Sequence, residues 1–473
     1  MSTRRTILKQ GAASFAAFVA LGKGSLAAAH TTNAGMKLVP DEAGLLDLPE
    51  GFSYRVLSRS REVMSDGFMT PGSFDGMGCF AHPTDPNKVT LVRNHEIFAD
   101  MDHDMPFGDD LELLDRLPEA KLYDWRTTGE DGGRPFYGGT TTLTVDLESG
   151  ETVEEHLSLV GTTGNCAGGT TPWGSWLTCE EQMLQPGESG AQKHHGFVYE
   201  VPSAARGIVD PVPLKAMGRF VHEAASVDPA TGIVYMTEDN MHGLFWRFIP
   251  DVPGELARGG RLQALAVEGW DSADLRNWPV DWSRPGARRV EQGERFVTRW
   301  IDLDDVESPN ADLARRGFDA GAAMFCRGEG LAYGVSGEGK SAHFFNCTQG
   351  GVARTGQVWR YDPSPQEGGE GEPQGTLTLL HESPGADTLD LCDNLAVSPW
   401  GDLIICEDGM GQNYLRGLTP QGVVYDLARN AHEDGAEFCG SCFSPDGSTL
   451  FVNVQSPGMT YAITGPWEAL GRG

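Results

Sequence analysis

A short hairpin template recurs along this chain, and it constrains the fold more than any other feature of the 473 residues. Cys166 opens a run that ends in Glu180 and Glu181; Glu223 opens one that ends in Glu238 and Asp239; Asp393 opens one that ends in Glu407 and Asp408. In each, a small-residue or apolar strand reaches a Pro-x-Gly or Pro-x-x-Gly turn, and an apolar strand leads back to two acids. The turn chemistry suits a hairpin, since Pro presets φ and Gly takes the positive-φ position. A fourth copy begins at Cys439 and keeps the turn but ends in Asn453 and Gln455. Two looser copies run from Gly76 to His95-Glu96 and from Glu329 to Cys347. Gly and Pro are abundant, and the chain after its leader carries no long segment of 3.6-residue period, so the expected class is all-β. Six such hairpins predict a six-bladed β-propeller.

The hairpins are spread over more chain than compact propeller repeats of about 40 to 50 residues need. The excess lies in the acidic stretch 99–133 and in 250–320, rich in Arg, Asp, Trp and Pro. Both are expected as loops over one face of the disc. No hydrophobic pattern restarts after a linker, so residues 30–473 read as one domain.

In an antiparallel hairpin the residue that begins the first strand lies beside the one that ends the second. This pairs Cys166 with Glu180, Glu223 with Glu238, and Asp393 with Glu407. Glu96, Glu181, Glu329 and Glu437 lie near the same ends. If the hairpins are the inner strands of blades, these groups converge on one mouth of the channel, and carboxylates that close cannot all stay ionised without cations. Taken singly, an acid that ends a strand is usually just solvated; recurrence at one register favours metal binding. Cys166 is a small buried hydrophobe or, beside carboxylates, a thiolate ligand that suggests a transition metal next to calcium. His95 and His222 read as structural or site histidines. Arg327 stands two residues from Glu329, where a guanidinium grips a phosphate or carboxylate, or pairs with an acid.

Residues 1–29 have a charged start with Arg4-Arg5, an apolar run and a small-residue cleavage site, as expected of a removable twin-arginine signal. No later stretch is long and apolar enough to span a membrane, so the mature protein is expected in the periplasm or beyond. The net charge of −31 becomes more negative once Arg4, Arg5, Lys9 and Lys23 are removed, which argues against nucleic acid as partner. Nine cysteines leave at least one unpaired. Cys439 and Cys442 form a C-x-x-C without a thioredoxin-like βαβ pattern, and read as a structural pair or two buried thiols. No heptad or exposed apolar strand demands a dimer, so a monomer is expected.

The twin-arginine leader, Arg93-Asn-His-Glu96, Asn165-Cys-Ala-Gly-Gly169, the run from Trp173 to Glu181, Arg327-Gly-Glu-Gly330 and the run from Ser444 to Asn453 together resemble the PhoX alkaline phosphatase family, over residues 50 to 467. The resemblance implies a six-bladed propeller whose mouth holds ferric iron (Fe3+) and calcium (Ca2+) and hydrolyses phosphate monoesters, and some diesters, outside the cytoplasm, with a metal-bridging oxo or hydroxo group as nucleophile. By that similarity Cys166 is the iron-bound thiolate, with Cys179 as the fallback. Glu96, Glu180, Glu181, Glu223, Glu238, Glu329, Asp393, Glu407 and Glu437 form the carboxylate pool. Arg327 holds the substrate phosphate, and Asn94 joins it as a catalytic residue. No G-x-S-x-G elbow competes for the nucleophile's role. Asn453 and Gln455 depart from the acidic pattern of the other hairpins. A calcium-dependent propeller lactonase and a noncatalytic calcium-binding propeller are the alternatives, since a carboxylate-bound calcium polarises an ester carbonyl equally well.

Overall fold

The computed structural model describes residues 37–127, 133–278, 288–335, 340–369, 374–433 and 435–470. The leader lies outside these residues. Among them the chain is all-β, with a single short α-helix at Leu313–Asp319.

All six hairpins form as antiparallel pairs. In chain order they are Phe74–Ala81 with Lys88–His95, Asn165–Thr170 with Ser175–Glu180, and His222–Val227 with Val234–Glu238; then Gly328–Val335 with Ser341–Cys347, Cys392–Val397 with Leu403–Glu407, and Phe438–Phe443 with Thr449–Val454. The first strand of each packs against the first strand of the next, and the sixth packs against the first, so these strands close a circuit. The arrangement is propeller-like.

The sheets behind that circuit are uneven. The first and sixth hairpins belong to four-stranded sheets and the second to a three-stranded one; the fifth ends a six-stranded sheet, and the third and fourth are the two ends of a nine-stranded sheet. The nine-stranded sheet arises because Arg295–Asp302 pairs with Gly260–Val267 on one side and with Thr376–Glu382 on the other. Both of the first two strands lie in the stretch expected to be a loop, so part of 250–320 is sheet that joins two units. Closure comes from pairing the chain's beginning to its end, Ser53–Arg59 against Met459–Thr464.

Apolar side chains fill the space between neighbouring sheets. Leu177 and Val198 of one meet Val227, Val234 and Trp246 of the next, all fully or nearly fully buried. Nearer the axis there is no room for side chains. A Cβ at Gly169 would stand 1.8 Å from the Ala225 carbonyl oxygen, and one at Gly76 would stand 2.6 Å from Ala167 Cα. The Gly-rich starts of the inner strands therefore answer to converging backbones. They also bring the strand ends that carry the acids close together.

Candidate metal centre

Every inner strand bulges at the same place. Asn165 pairs with Glu180 but Gly168 with Thr178, so three steps on the inner strand match two on its partner. The same irregularity falls between Phe74 and Met77, His222 and Ala225, Gly328 and Leu331, Cys392 and Leu395, and Cys439 and Cys442. A bulge re-aims the side chain it contains. The residues so placed are Asp75, Cys166, Glu223, Glu329, Asp393 and Gly440.

This register differs by one residue from the sequence expectation. Glu180, Glu238 and Glu407 pair with Asn165, His222 and Cys392, one position before the bulge residue. Alternation along a strand then sends the second acid of each doublet, not the first, to the channel.

The first acids brace their own loops. Glu180 accepts from His195 Nδ1 at 2.6 Å and from the Gly196 N–H at 2.8 Å. Glu238 accepts from the Leu244 N–H at 3.1 Å and the Trp246 indole at 3.0 Å. Glu407 accepts from the Asp390 and Tyr414 N–H groups at 2.9 and 3.0 Å and from Arg416 Nε at 2.7 Å. Burial pushes the Glu238 and Glu407 carboxyls up to about 7 against those hydrogen bonds. These three acids are thus placed outside the cluster, which corrects their assignment to the carboxylate pool.

The cluster has two tiers. Asp75, Cys166, Glu223, Glu329 and Asp393 form a buried tier at the bulges. Glu96, Glu181, Asp239, Asp408 and Glu437, half-buried, stand above them. Ligand atoms of Asp75, Glu96 and Cys166 lie within 4.8 Å of one another, as do those of Cys166, Glu223 and Glu329. Cys166 Sγ is 3.1 Å from Glu223 Oε1. Asp75 Oδ1 and Glu223 Oε2 are buried without a hydrogen-bond partner. Burial first, then the neighbouring acids, raise the proton affinity of Asp75, Cys166, Glu181, Glu223, Glu329 and Glu437. Burial and Asp408 hold Asp393 up to about 7. Orphaned buried oxygens among acids that cannot all ionise are what a multivalent cation relieves, so this donor set fits metal ions.

Arg327 closes one side. Its Nε and Nη2 meet the two Asp239 oxygens at 2.8 Å each, and Nη2 lies 2.9 Å from Glu329. Burial opposes its charge, but Glu329 and Asp239 hold the guanidinium firmly protonated.

Asn94 does not face the mouth. It is fully buried, and its Nδ2 donates to the carbonyls of Cys166 and Ala167 at 2.8 and 2.7 Å while its Oδ1 accepts from the Trp176 indole at 2.8 Å. It positions the Cys166 bulge, which replaces the expectation of a catalytic role. Asn346 and Asn453 donate in the same way to the Asp393 and Asp75 carbonyls, each at 2.6 Å. The sixth hairpin's departures are thereby explained: Asn453 supports the first bulge, and Gln455 Nε2 donates to Glu96 at 2.8 Å. Its own bulge residue, Gly440, has no side chain to offer, since a Cβ there would meet the Asp75 carbonyl oxygen at 2.4 Å.

Asp75, Asp239 and Asp408 were missed as site residues. Asp239 and Asp408 are the second members of doublets already recognised. Asp75 precedes Gly76 as Glu329 precedes Gly330, at the start of a copy whose opening residue was placed one position late. The remaining thiols are free: Cys179 is buried in an apolar cluster, and Cys439 Sγ donates to the Phe74 carbonyl at 2.9 Å. His222 Nε2 donates to the Gly218 carbonyl at 3.0 Å and His95 Nδ1 to the Gly72 carbonyl at 2.9 Å, and neither ring belongs to the groups of close ligand atoms. Below the cluster the channel widens into a cavity of about 390 Å³ lined by the next residues inward, among them Ala167, Ala224, Gly330 and Ser441. None of the close ligand groups lies in that lining, so the chemistry belongs to the acidic end.

His195 ties the 99–127 insertion to the site, lying between Glu180 at 2.6 Å and Asp124 at 3.2 Å. Burial alone would lower its proton affinity, but the Glu180 charge and the two carboxylate hydrogen bonds hold it up to about 9. A raised folded-state value means stability present below the ordinary histidine range and lost as pH rises through about 9. The melting temperature of the wild type is therefore expected to fall more steeply between pH 7 and 10 than that of His195→Gln. Parallel curves would contradict this.

The family model described as Alkaline phosphatase PhoX matches residues 34–152 and 136–458. No curated protein sequence matches. Among solved structures, Pseudomonas fluorescens PhoX in complex with vanadate, a transition state analogue, superposes with a TM-score of 0.64 at 18% identity, over 91% of this chain and 98% of that one. A gluconolactonase from Xanthomonas campestris reaches a TM-score of only 0.38 at 13% identity, over 92% of this chain and 99% of that one. The likeness to the first gives the fold, and the family match over nearly the whole described chain gives the class of enzyme: the chain belongs to the alkaline phosphatase PhoX family and is a phosphatase.

Proposed function

We propose that the chain hydrolyses phosphate monoesters outside the cytoplasm, on a centre of calcium and ferric iron at the mouth of a six-bladed propeller. The observation that carries this reading is the two-tier cluster of acids around Cys166, with Arg327 at its edge. Six blades are supported by the closed circuit of inner strands and by the identical bulge in each, two blades being joined by Arg295–Asp302. A thiolate at Cys166 among carboxylates suits iron, and the carboxylate-only remainder suits calcium. Asp75, Glu96, Cys166, Glu181, Glu223, Asp239, Glu329, Asp393, Asp408 and Glu437 would hold the ions.

When bound, the cations supply Lewis acidity toward a phosphoryl group and its attacking water. The chain's own residues do the rest. Asp239 and Glu329 take up Nε and Nη2 of Arg327 and fix its orientation, which leaves the Nη1 end of the guanidinium to donate to a phosphate oxygen. Asn94 holds the backbone of the Cys166 bulge, so the sulfur keeps its place between Asp75 and Glu223. Residues 1–29 would direct export by the twin-arginine machinery of a folded domain spanning 30–473, which we read as a monomer.

Turnover of p-nitrophenyl phosphate and of bis-p-nitrophenyl phosphate, by protein purified from its native host, tests the reading. Hydrolysis of the monoester well above the diester is expected. Arg327→Ala should lower monoester kcat/KM by roughly 100- to 1000-fold, and Arg327→Lys should recover only part of it. A wild type inert toward the monoester, or an Arg327→Ala variant with full turnover, would count against it.

A further inference from the structure

The mouth carries a second cationic feature beside Arg327. The Trp278 ring has Arg276 Cζ at 4.6 Å and Arg354 Cζ at 4.5 Å from its centroid. The Trp278 indole donates to the Gln349 carbonyl at 2.7 Å, and the Gly351 N–H donates to the Arg276 carbonyl at 2.8 Å. These bonds dock 276–278 onto the turn that follows the fourth hairpin. That turn also adjoins Arg327, whose carbonyl accepts from the Thr348 N–H at 2.9 Å. Arg276 Nη1 reaches the Met241 carbonyl at 3.2 Å, two residues after the aspartate that holds Arg327. Three guanidiniums therefore share one side of the mouth.

Their partners differ. Arg276 is neutralised by Asp274 through bonds of 2.8 and 2.7 Å, and Arg327 by Asp239 and Glu329. Arg354 is exposed, and among the described residues its guanidinium has the Trp278 ring as its contact and no carboxylate. In a chain of net charge −31, a propped guanidinium left without an acid beside an acidic mouth is unusual. Its backbone is also held at φ +59°, as that of Arg327 is at +50°, a left-handed conformation costly for residues with a Cβ and common at functional sites.

We propose that Arg354, propped on Trp278 beside Arg276, is a distal anion subsite that takes a second phosphate carried by the leaving group of the phosphoester. The inference rests on the phosphatase reading above and extends it to substrate class. A guanidinium held over an indole face leaves N–H groups for other partners, and these match phosphate oxygens. Exposure limits the gain, because solvent screens the charge.

The test compares α,ω-alkanediol bisphosphates of graded chain length with the corresponding monophosphates. In the wild type, the ratio of bisphosphate to monophosphate kcat/KM should peak at one length, at about 5- to 20-fold. In Arg354→Ala the ratio should fall to the statistical advantage of carrying two esters, and in Arg354→Lys it should be intermediate. A ratio without a peak in the wild type, or a peak unchanged in Arg354→Ala, overturns the subsite while monophosphate turnover upholds the phosphatase reading. A wild type that turns over neither series overturns both.

Discussion

Cys166→Ala is expected to lower phosphatase turnover by roughly 1000-fold while leaving the protein folded. Cys166 is the member shared by the two groups of close ligand atoms, one with Asp75 and Glu96 and the other with Glu223 and Glu329. Removing it takes away the one soft donor among hard oxygens, and with it the basis for holding a transition metal there. The fold should tolerate the change. The position is on the channel side of the bulge, the neighbouring Ala167 carbonyl stays bound by Asn94, and the apolar layers between sheets are untouched. The variant should therefore keep its circular dichroism spectrum and lose iron, with calcium less affected. Full iron content and full turnover in Cys166→Ala would contradict the assignment.

The acid doublets give a sharper contrast, because adjacent residues should fail in different ways. Glu181→Gln, Asp239→Asn and Asp408→Asn are expected to lose turnover by roughly 100-fold or more with little change in melting temperature. Glu238→Ala should instead leave the Leu244 N–H and the Trp246 indole N–H buried without an acceptor, at a cost of about 2–4 kcal/mol. Glu407→Ala should behave likewise, leaving the Asp390 N–H, the Tyr414 N–H and Arg416 Nε without their acceptor, while Arg416 Nη1 keeps Asp426. Melting curves and turnover measured on the two sets check this directly. Equal losses of activity at nominal stability in both sets would mean that the one-residue register argument fails.

That register is also where the sequence stops being legible. The hairpins could be read from their turns and their acids, and the convergence of those acids on one mouth followed from strand geometry alone. The bulge could not, since an extra residue in one strand leaves no periodic mark when the neighbouring residues are Gly and Ala. Asn165, Cys166 and Ala167 offer no pattern that says which of them faces the channel. Without the bulge, Glu180 was placed beside Cys166; with it, Glu180 turns to His195 and Glu181 turns to the mouth.

Asn94 is a second case. It sits in the Arg93-Asn-His-Glu96 motif, and the family resemblance implied a catalytic role. The strand pleat sends its side chain between two sheets, where it binds two carbonyls of the next inner strand. The joining of the third and fourth units was hidden for a different reason. Arg295–Asp302 is rich in charged and aromatic residues with partly exposed positions, and so reads as surface loop rather than as a strand bridging two sheets. Arg354 and Trp278 come together through tertiary contacts between the turn after the fourth hairpin and the 250–320 stretch.

On the proposed reading, the two tiers of acids around Cys166 hold multivalent cations. The most direct test is elemental analysis of the full chain as processed by its native host, with p-nitrophenyl phosphate turnover before and after exhaustive chelation. Calcium and iron together in each molecule are expected, with turnover that is lost when they are removed and recovered when both are restored. Protein that carries neither metal yet turns over the ester at an undiminished rate would contradict it.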